Sequence, residues 1–555
     1  MKLPSPLLAL CPVVVATLAA QTPSPTFSKD RILDRISVLS SDAFEGRGPG
    51  TAGEDKTVAY LVDQFKAMGL EPGNPDGTYV QAVPLIGITS QTTARFDMGQ
   101  TTFTPGWVND YVAVSHRFTA DVKVDASEVV FAGYGVVAPE YGWDDFKDVD
   151  VRGKTIIVLV NDPQVPDPKD PSRLDDSLFK GKAMTYYGRW MYKYEEASRK
   201  GAAACLIVHE TRLAGYPFAV VAASQGRENF DLARSDGNRD HVAVEGWLTL
   251  DAAERLVAAR GFDLKALKAR ALSRDFKPIS LGAKASFTVH NTLRDVASKN
   301  VVARLTGADP TLASETVVYS AHWDHLGRDT RLSGDQIYNG AEDNASGVAT
   351  LLEIAQGYAG LPAAERPKRS VLFLSVTAEE KGLLGARYYA ENPLYPLNRT
   401  LADINMDRVQ VLGPARDIEI PGLGNSDLDD VARTVAAEQG RVLRPDSTPQ
   451  DGHFYRSDHF EFAKVGVPAF YAVPGIDIIG KPEGYGEARH ADYFSTYYHK
   501  VTDDIKPWWD LEGAAREARF FFALGYRVAQ ADAWPQWSPG CEFKAIREQS
   551  LGKSH

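Results

Sequence analysis

Cysteine is scarce. Of the three in the chain, Cys11 lies in an N-terminal apolar stretch, and only Cys205 and Cys541 remain beyond it, which excludes a disulfide framework as the basis of the fold. Cys205 sits in an apolar run and reads as a buried, inert thiol. A long basic run is also missing: 61 Lys and Arg against 73 Asp and Glu leave a net charge of −12. That balance disfavours a general electrostatic grip on nucleic acid or anionic lipid. Beyond the N-terminus no segment offers the ~20 uninterrupted apolar residues that span a bilayer, so no integral membrane span is expected. Internal repeats are absent too. With 24% charged and 10% aromatic residues the chain lacks the signature of disorder. Its 555 residues suffice for two or more domains of roughly 100–200 residues each.

What is there begins with Lys2 and the apolar stretch 7–20, which ends in small residues before Gln21 and a Pro-rich segment. Residues 1–20 read as a signal peptide, so the protein is expected to be secreted or periplasmic. Over 26–105, Ile32, Ile36 and Leu39, then Val58, Leu61, Val62 and Phe65, recur at helical spacing around the turn-rich segment 40–53. From 106 to 290 the pattern changes to short β-rich runs such as 128–131, 155–160 and 202–208, read as an inserted β-rich domain. Its helix candidates are 194–200 and a segment opened by Asp251-Ala-Ala-Glu254, which has capping-box spacing. Between 291 and 533, strands at 316–321, 371–376, 402–406 and 468–473 alternate with helical patterns that include 428–438 and 511–529. This is α/β: a mostly parallel mixed sheet sandwiched by helices, whose ligands bind beyond the carboxyl ends of the strands. The polar tail 534–555 is expected to be irregular.

The loops after those strands carry His322-Trp-Asp324-His325, Glu342-Asp343-Asn344-Ala-Ser-Gly347, Glu379-Glu380, Asp407 and Tyr498-His499. Imidazoles and carboxylates without thiolates suit zinc. Five candidate ligands suggest two ions. His322 with Asp343 and one further carboxylate serves the first, and His499 with Asp343 and another serves the second. Asp324, two residues after His322, is placed to accept the other ring N–H of that imidazole. His325 is as consistent with a structural hydrogen bond as with ligation and stays outside the set. His453 and His459 flank Ser457-Asp458, with a cleft or a structural role equally open, and Tyr186, Tyr187, Trp190 and Tyr192 read first as packing.

These motifs, in this order, resemble the co-catalytic di-zinc aminopeptidase family, which includes bacterial leucine-type aminopeptidases and the glutamate carboxypeptidase and transferrin-receptor branch. The resemblance covers about 298–530, and the early Ser41-Asp-x-Phe-Glu-Gly-Arg47 is similar to the family's first segment. Gly133-Tyr134-Gly135 and Lys200-Gly201-Ala202 resemble its protease-associated insert. The resemblance implies His322, Asp343 and Asp407 on one zinc, and Asp343, Glu380 and His499 on the other. It implies Glu379 as general base on a water bridging the two ions, Tyr498 as donor to the oxyanion, and a cis peptide between Asp343 and Asn344. It thus implies a peptide substrate and exopeptidase activity, with an aminopeptidase favoured. A carboxypeptidase, a single-zinc glutaminyl-cyclase-like enzyme and a metal-free receptor-like binding protein stay open at this point.

Overall fold

The computed structural model describes residues 22–552, so the signal-peptide segment and Cys11 lie outside the described residues. The strands Ala469–Tyr471, Thr400–Asn405, Thr316–His322 and Ser370–Val376 stand side by side in that order, each pair parallel. Their residues are buried on both faces, which is why they read as unbroken apolar runs rather than alternating ones. Val317, Tyr319, Val371 and Phe373 pack against the helices Lys29–Leu39, Ala52–Ala67, Gly347–Ala359 and Glu512–Gln530. On the other face Val318, Leu372 and Leu374 meet the helices Leu384–Glu391 and His459–Lys464. The tail departs from expectation. Trp537, Phe543 and Arg547 are buried in or beside that second core, and Lys544–Gly552 is helical.

One 27-residue strand, Ile279–Leu305, joins this half to the β-rich segment. It pairs antiparallel with Ser370–Val376, with the long strand Val80–Asp97 and with Asp121–Phe131. From there the sheet continues through Thr155–Leu159, Ala204–His209, Val244–Thr249 and Tyr111–Val114. Strand therefore runs unbroken through residues 290–291. The β-rich segment has its own cores on the two faces of its strands. The helix there is Trp190–Arg199, starting earlier than its apolar pattern suggested. Asp251 is not a cap: the helix Leu250–Ala258 is capped by Thr249, whose hydroxyl accepts from the Ala252 N–H. Cys205 and Cys541 are both free.

The β-rich segment also holds two stacked imidazoles, His116 and His241, with ring centroids 5.8 Å apart. They lie between Asp231 and Glu245: His116 Nδ1 is 3.4 Å from Asp231, and His241 Nδ1 is 3.0 Å from Glu245. Burial lowers the His241 pKa, but the Glu245 hydrogen bond and charge, with Asp231 and Asp240, carry it from 6.5 up to about 9. The pKa is raised on folding, so the stabilisation is fully present below pH 6.5 and is lost as pH rises through about 9. The loss is on the order of 1–3 kcal/mol. Thermal midpoints recorded from pH 6 to 10 should fall for the parent protein and stay flatter for His241→Gln. Parallel curves would remove this residue from the pH dependence.

Candidate metal centre

Because the strands are parallel, their carboxyl ends open on one edge. His322 is the last residue of its strand, Asp407 lies two residues beyond Asn405, and Glu379-Glu380 form the turn after Ser370–Val376. Asp343 sits in the irregular turn entering the helix Gly347–Ala359, and His499 follows the turn Tyr493–Tyr497.

The two oxygens of Asp343 face two separate imidazole–carboxylate sets. His322 Nε2 is 3.4 Å from Asp343 Oδ1 and 3.5 Å from Asp407 Oδ1. His499 Nε2 is 3.4 Å from Asp343 Oδ2 and 3.0 Å from Glu380 Oε2. Separations near 3.4 Å are long for hydrogen bonds but match neighbouring ligands on a tetrahedral ion with bonds of about 2.0–2.2 Å. His322 Nε2 is buried and has no hydrogen-bond partner among the described residues, as befits an atom whose partner is a cation.

The charge balance points the same way. Glu379, Asp407, Asp343, Glu380, Asp324 and Asp458 converge here. Burial lowers the His499 pKa, yet Glu380 and Asp343 carry it up to about 10. Burial raises that of Glu380, yet His499, with His325, brings it down to about 2. Burial, reinforced by Asp407 and Glu380, holds the Glu379 carboxyl well above the usual range. The carboxylates gather positive charge onto the imidazoles, a role that divalent ions fill more effectively. The donors fit zinc.

His325 belongs closer to this cluster than sequence reasoning placed it. Its Nδ1 is 2.6 Å from Glu380 Oε1, and its ligand atom groups with those of Asp343 and Glu380 within 4.8 Å. Asp324 acts differently from expectation. The His322 Nδ1 contact is with the backbone carbonyl of Asp324, at 3.1 Å, while the carboxylate is 3.7 Å away. That carboxylate instead accepts the N–H groups of Glu379 and Glu380, at 3.0 and 3.4 Å, so it orients the turn carrying both. Burial lifts the Asp324 carboxyl to about 7.

Other residues hold the ligand loops. The Arg47 guanidinium, 1% exposed, donates to the carbonyls of Trp323, Leu39, Asn339 and Gly340, tying the His322 loop to the Asp343 loop. Asp503 accepts the N–H groups of Glu342 and Asp343, both at 3.1 Å. The Asp343–Asn344 peptide is cis. Asn344 then donates to Met406 O and accepts from Gly347 N and Arg408 N, joining the Asp343 and Asp407 loops. Gly347 is required, because a Cβ there would lie 2.2 Å from Asn344 Oδ1 and 2.5 Å from Met406 O. Ala378 before Glu379, Arg408 after Asp407, and the candidate ligand His499 have φ of 53°, 66° and 57°, conformations that L-residues adopt only where their surroundings enforce them.

Tyr498 stacks on His499 at 3.8 Å and lies 5.3 Å from the ring of Phe494, which is 46% exposed. His459 is structural: it packs between Phe454 and Tyr471, and burial pushes it down to about 3. His453 sits 3.4 Å from Asp446 and stacks on Phe494, on the site's wall. The aromatic cluster is packing, with Tyr186 against Phe460 and Tyr187 against Tyr192, each at 5.0 Å. Sequence reasoning did not assign Arg47 or Asp503. Arg47 lay in a quoted motif, and Asp503 was one of two adjacent aspartates that no spacing rule separates.

Two imidazole–carboxylate sets sharing one aspartate at the ends of parallel strands set the context for comparison with known proteins. Residues 300–521 match the family described as Peptidase family M28. Over this segment the chain is similar to peptidase family M28. Aminopeptidase NAALADL1 of Mus musculus is 36% identical over 130 residues, 23% of this chain and 16% of that protein. A probable zinc metalloprotease of Pyrenophora tritici-repentis is 26% identical over 274 residues, 43% of this chain and 53% of that protein. The chain thus spans about half or less of the length of these curated relatives. The fold is similar to that of an aminopeptidase from Aneurinibacillus sp. strain AM-1, with TM-score 0.52 and 18% identity, covering 93% of this chain and 95% of that one. The matched segment contains every candidate ligand, from His322 to His499.

Proposed function

We propose that this chain is an exported zinc exopeptidase that removes amino-terminal residues from peptides. The observation that carries the reading is Asp343, whose two oxygens each face a separate imidazole–carboxylate set. His322, Asp343 and Asp407 would hold one zinc ion, and Asp343, Glu380 and His499 the second. Bound zinc supplies Lewis-acid polarisation of the scissile carbonyl and lowers the pKa of water.

The chain's own groups do the rest. Glu379, its N–H fixed on Asp324, takes a proton from the attacking water and returns it to the leaving amine. Tyr498 donates its O–H to the oxygen of the reacting carbonyl as charge develops there. Asp324 positions the Glu379-Glu380 turn, and exposed Phe494 offers an apolar surface beside Tyr498. A free amino terminus should be required. Given zinc-loaded protein, an unblocked peptide should lose its first residue, and the amino-acetylated peptide should react at least about 100-fold more slowly. Equal cleavage of both would reject amino-terminal polarity.

A further inference from the structure

The strand Asn229–Leu232 of the β-rich segment pairs antiparallel with residues 85–88 of the long strand Val80–Asp97. Side chains alternate along a strand, so Phe230 and Leu232 share one face. Both are buried, in one apolar cluster with Val83, Leu85, Ala378 and Leu384. Ala378 immediately precedes Glu379, and Leu384 begins the helix that follows the Glu379-Glu380 turn. The cluster therefore grips the turn at both of its ends.

On either side of this strand the β-rich segment is tied to the peptidase half. Before it, Arg227 Nη2 lies 3.1 Å from Asp329 Oδ2, and its guanidinium stands over the Tyr338 ring. After it, Arg234 Nη2 donates to both oxygens of Glu391, at 2.9 and 3.1 Å, at the end of the helix Leu384–Glu391. Residues 227–234 are thus a strap laid across the turn and fastened on both sides of it.

The turn needs such a hold. Ala378 and Leu383 have φ of 53° and 60°, left-handed values that L-residues keep only where their surroundings enforce them. The Asp324 carboxylate fixes the N–H groups of Glu379 and Glu380, in the middle of the turn. The apolar cluster fixes its flanks. Precision matters here, because a reacting group misplaced by about 1 Å can lose roughly 100-fold in rate.

We propose that this strap sets the position of the general base, with Phe230 and Leu232 as positioning residues that act on Glu379 through Ala378 and Leu384. This rests on the peptidase reading. The β-rich segment thus helps to fix the catalytic geometry from outside the metal centre.

Phe230→Ala, Phe230→Leu and a control, Phe287→Leu, are compared as zinc-loaded proteins. Phe287 is buried in a separate core of the β-rich segment and reports general loosening. Phe230→Ala should lower kcat by about 10- to 100-fold with KM within about twofold and zinc content unchanged. Phe230→Leu should recover most of the rate, and Phe287→Leu should keep the parent kcat although its thermal midpoint falls. In the Glu379→Gln background, Phe230→Ala should cost less than about twofold more, because the group it positions has already lost its function. Hydrogen exchange of the amides of 378–384 should be about 10-fold faster in Phe230→Ala and unchanged in Phe287→Leu. Where Phe230→Ala does not fold, Leu232→Val carries the same measurements. Undiminished kcat, the full loss repeated in the Glu379→Gln background, loss of zinc, or unchanged exchange overturns the proposal. If the parent protein cleaves no peptide, the peptidase reading fails, while hydrogen exchange still decides whether the strap holds the turn.

Discussion

Replacing Glu379 with Gln should lower kcat by about three orders of magnitude while leaving zinc content and thermal midpoint close to those of the parent protein. The substitution keeps the shape of the side chain and the N–H that Asp324 accepts, so the turn stays in place. It removes only the ability to take and return a proton. Glu380, one residue on, provides the contrast, because its oxygens face His325 and His499. Glu380→Gln should lose metal as well as turnover. Steady-state kinetics alongside elemental analysis of the same preparations reads both. A Glu379→Gln protein with undiminished kcat would take the proton-transfer role away from this residue, and one stripped of zinc would move it among the ligands.

The second large effect concerns Asp343. His322 lies against one of its oxygens and His499 against the other, at 3.4 Å each. Replacement with Asn removes the negative charge and one oxygen together. Both ions should be lost, with affinity for zinc falling by more than about 100-fold and peptide cleavage becoming undetectable. His322→Ala, by contrast, should disturb the position it shares with Asp407 first. Since bound metal stabilises only the folded state, the thermal midpoint of the parent protein should rise with added zinc and that of Asp343→Asn should not.

Much of this was legible because the chemistry and the fold leave signals at the same places. Buried parallel strands must be apolar throughout, so 371–376 and 316–321 stood out, and polar residues just past them are conspicuous. The helix Leu428–Glu438 has the bounds that its pattern suggested. Other features left no local trace. Asp324 lies two residues from His322, and nothing in that spacing says whether its carboxylate or its carbonyl meets the imidazole; the carboxylate is drawn to two backbone N–H groups more than fifty residues away. Asp503 grips the Asp343 turn across 160 residues. The tail looked irregular because its apolar anchors, Trp537 and Phe543, are widely spaced and its burial depends on a core made elsewhere. Thr249 rather than Asp251 caps the helix Leu250–Ala258, because it is the residue just before the first turn and its hydroxyl reaches the Ala252 N–H.

The shared aspartate is the centre of the proposed chemistry, and zinc counting tests it most directly. Protein freed of metal by chelation and titrated with zinc should take up two ions per chain, and the Asp343→Asn protein none of comparable affinity. Uptake of a single ion by the parent protein, or two tight ions on Asp343→Asn, would contradict a centre built around this residue.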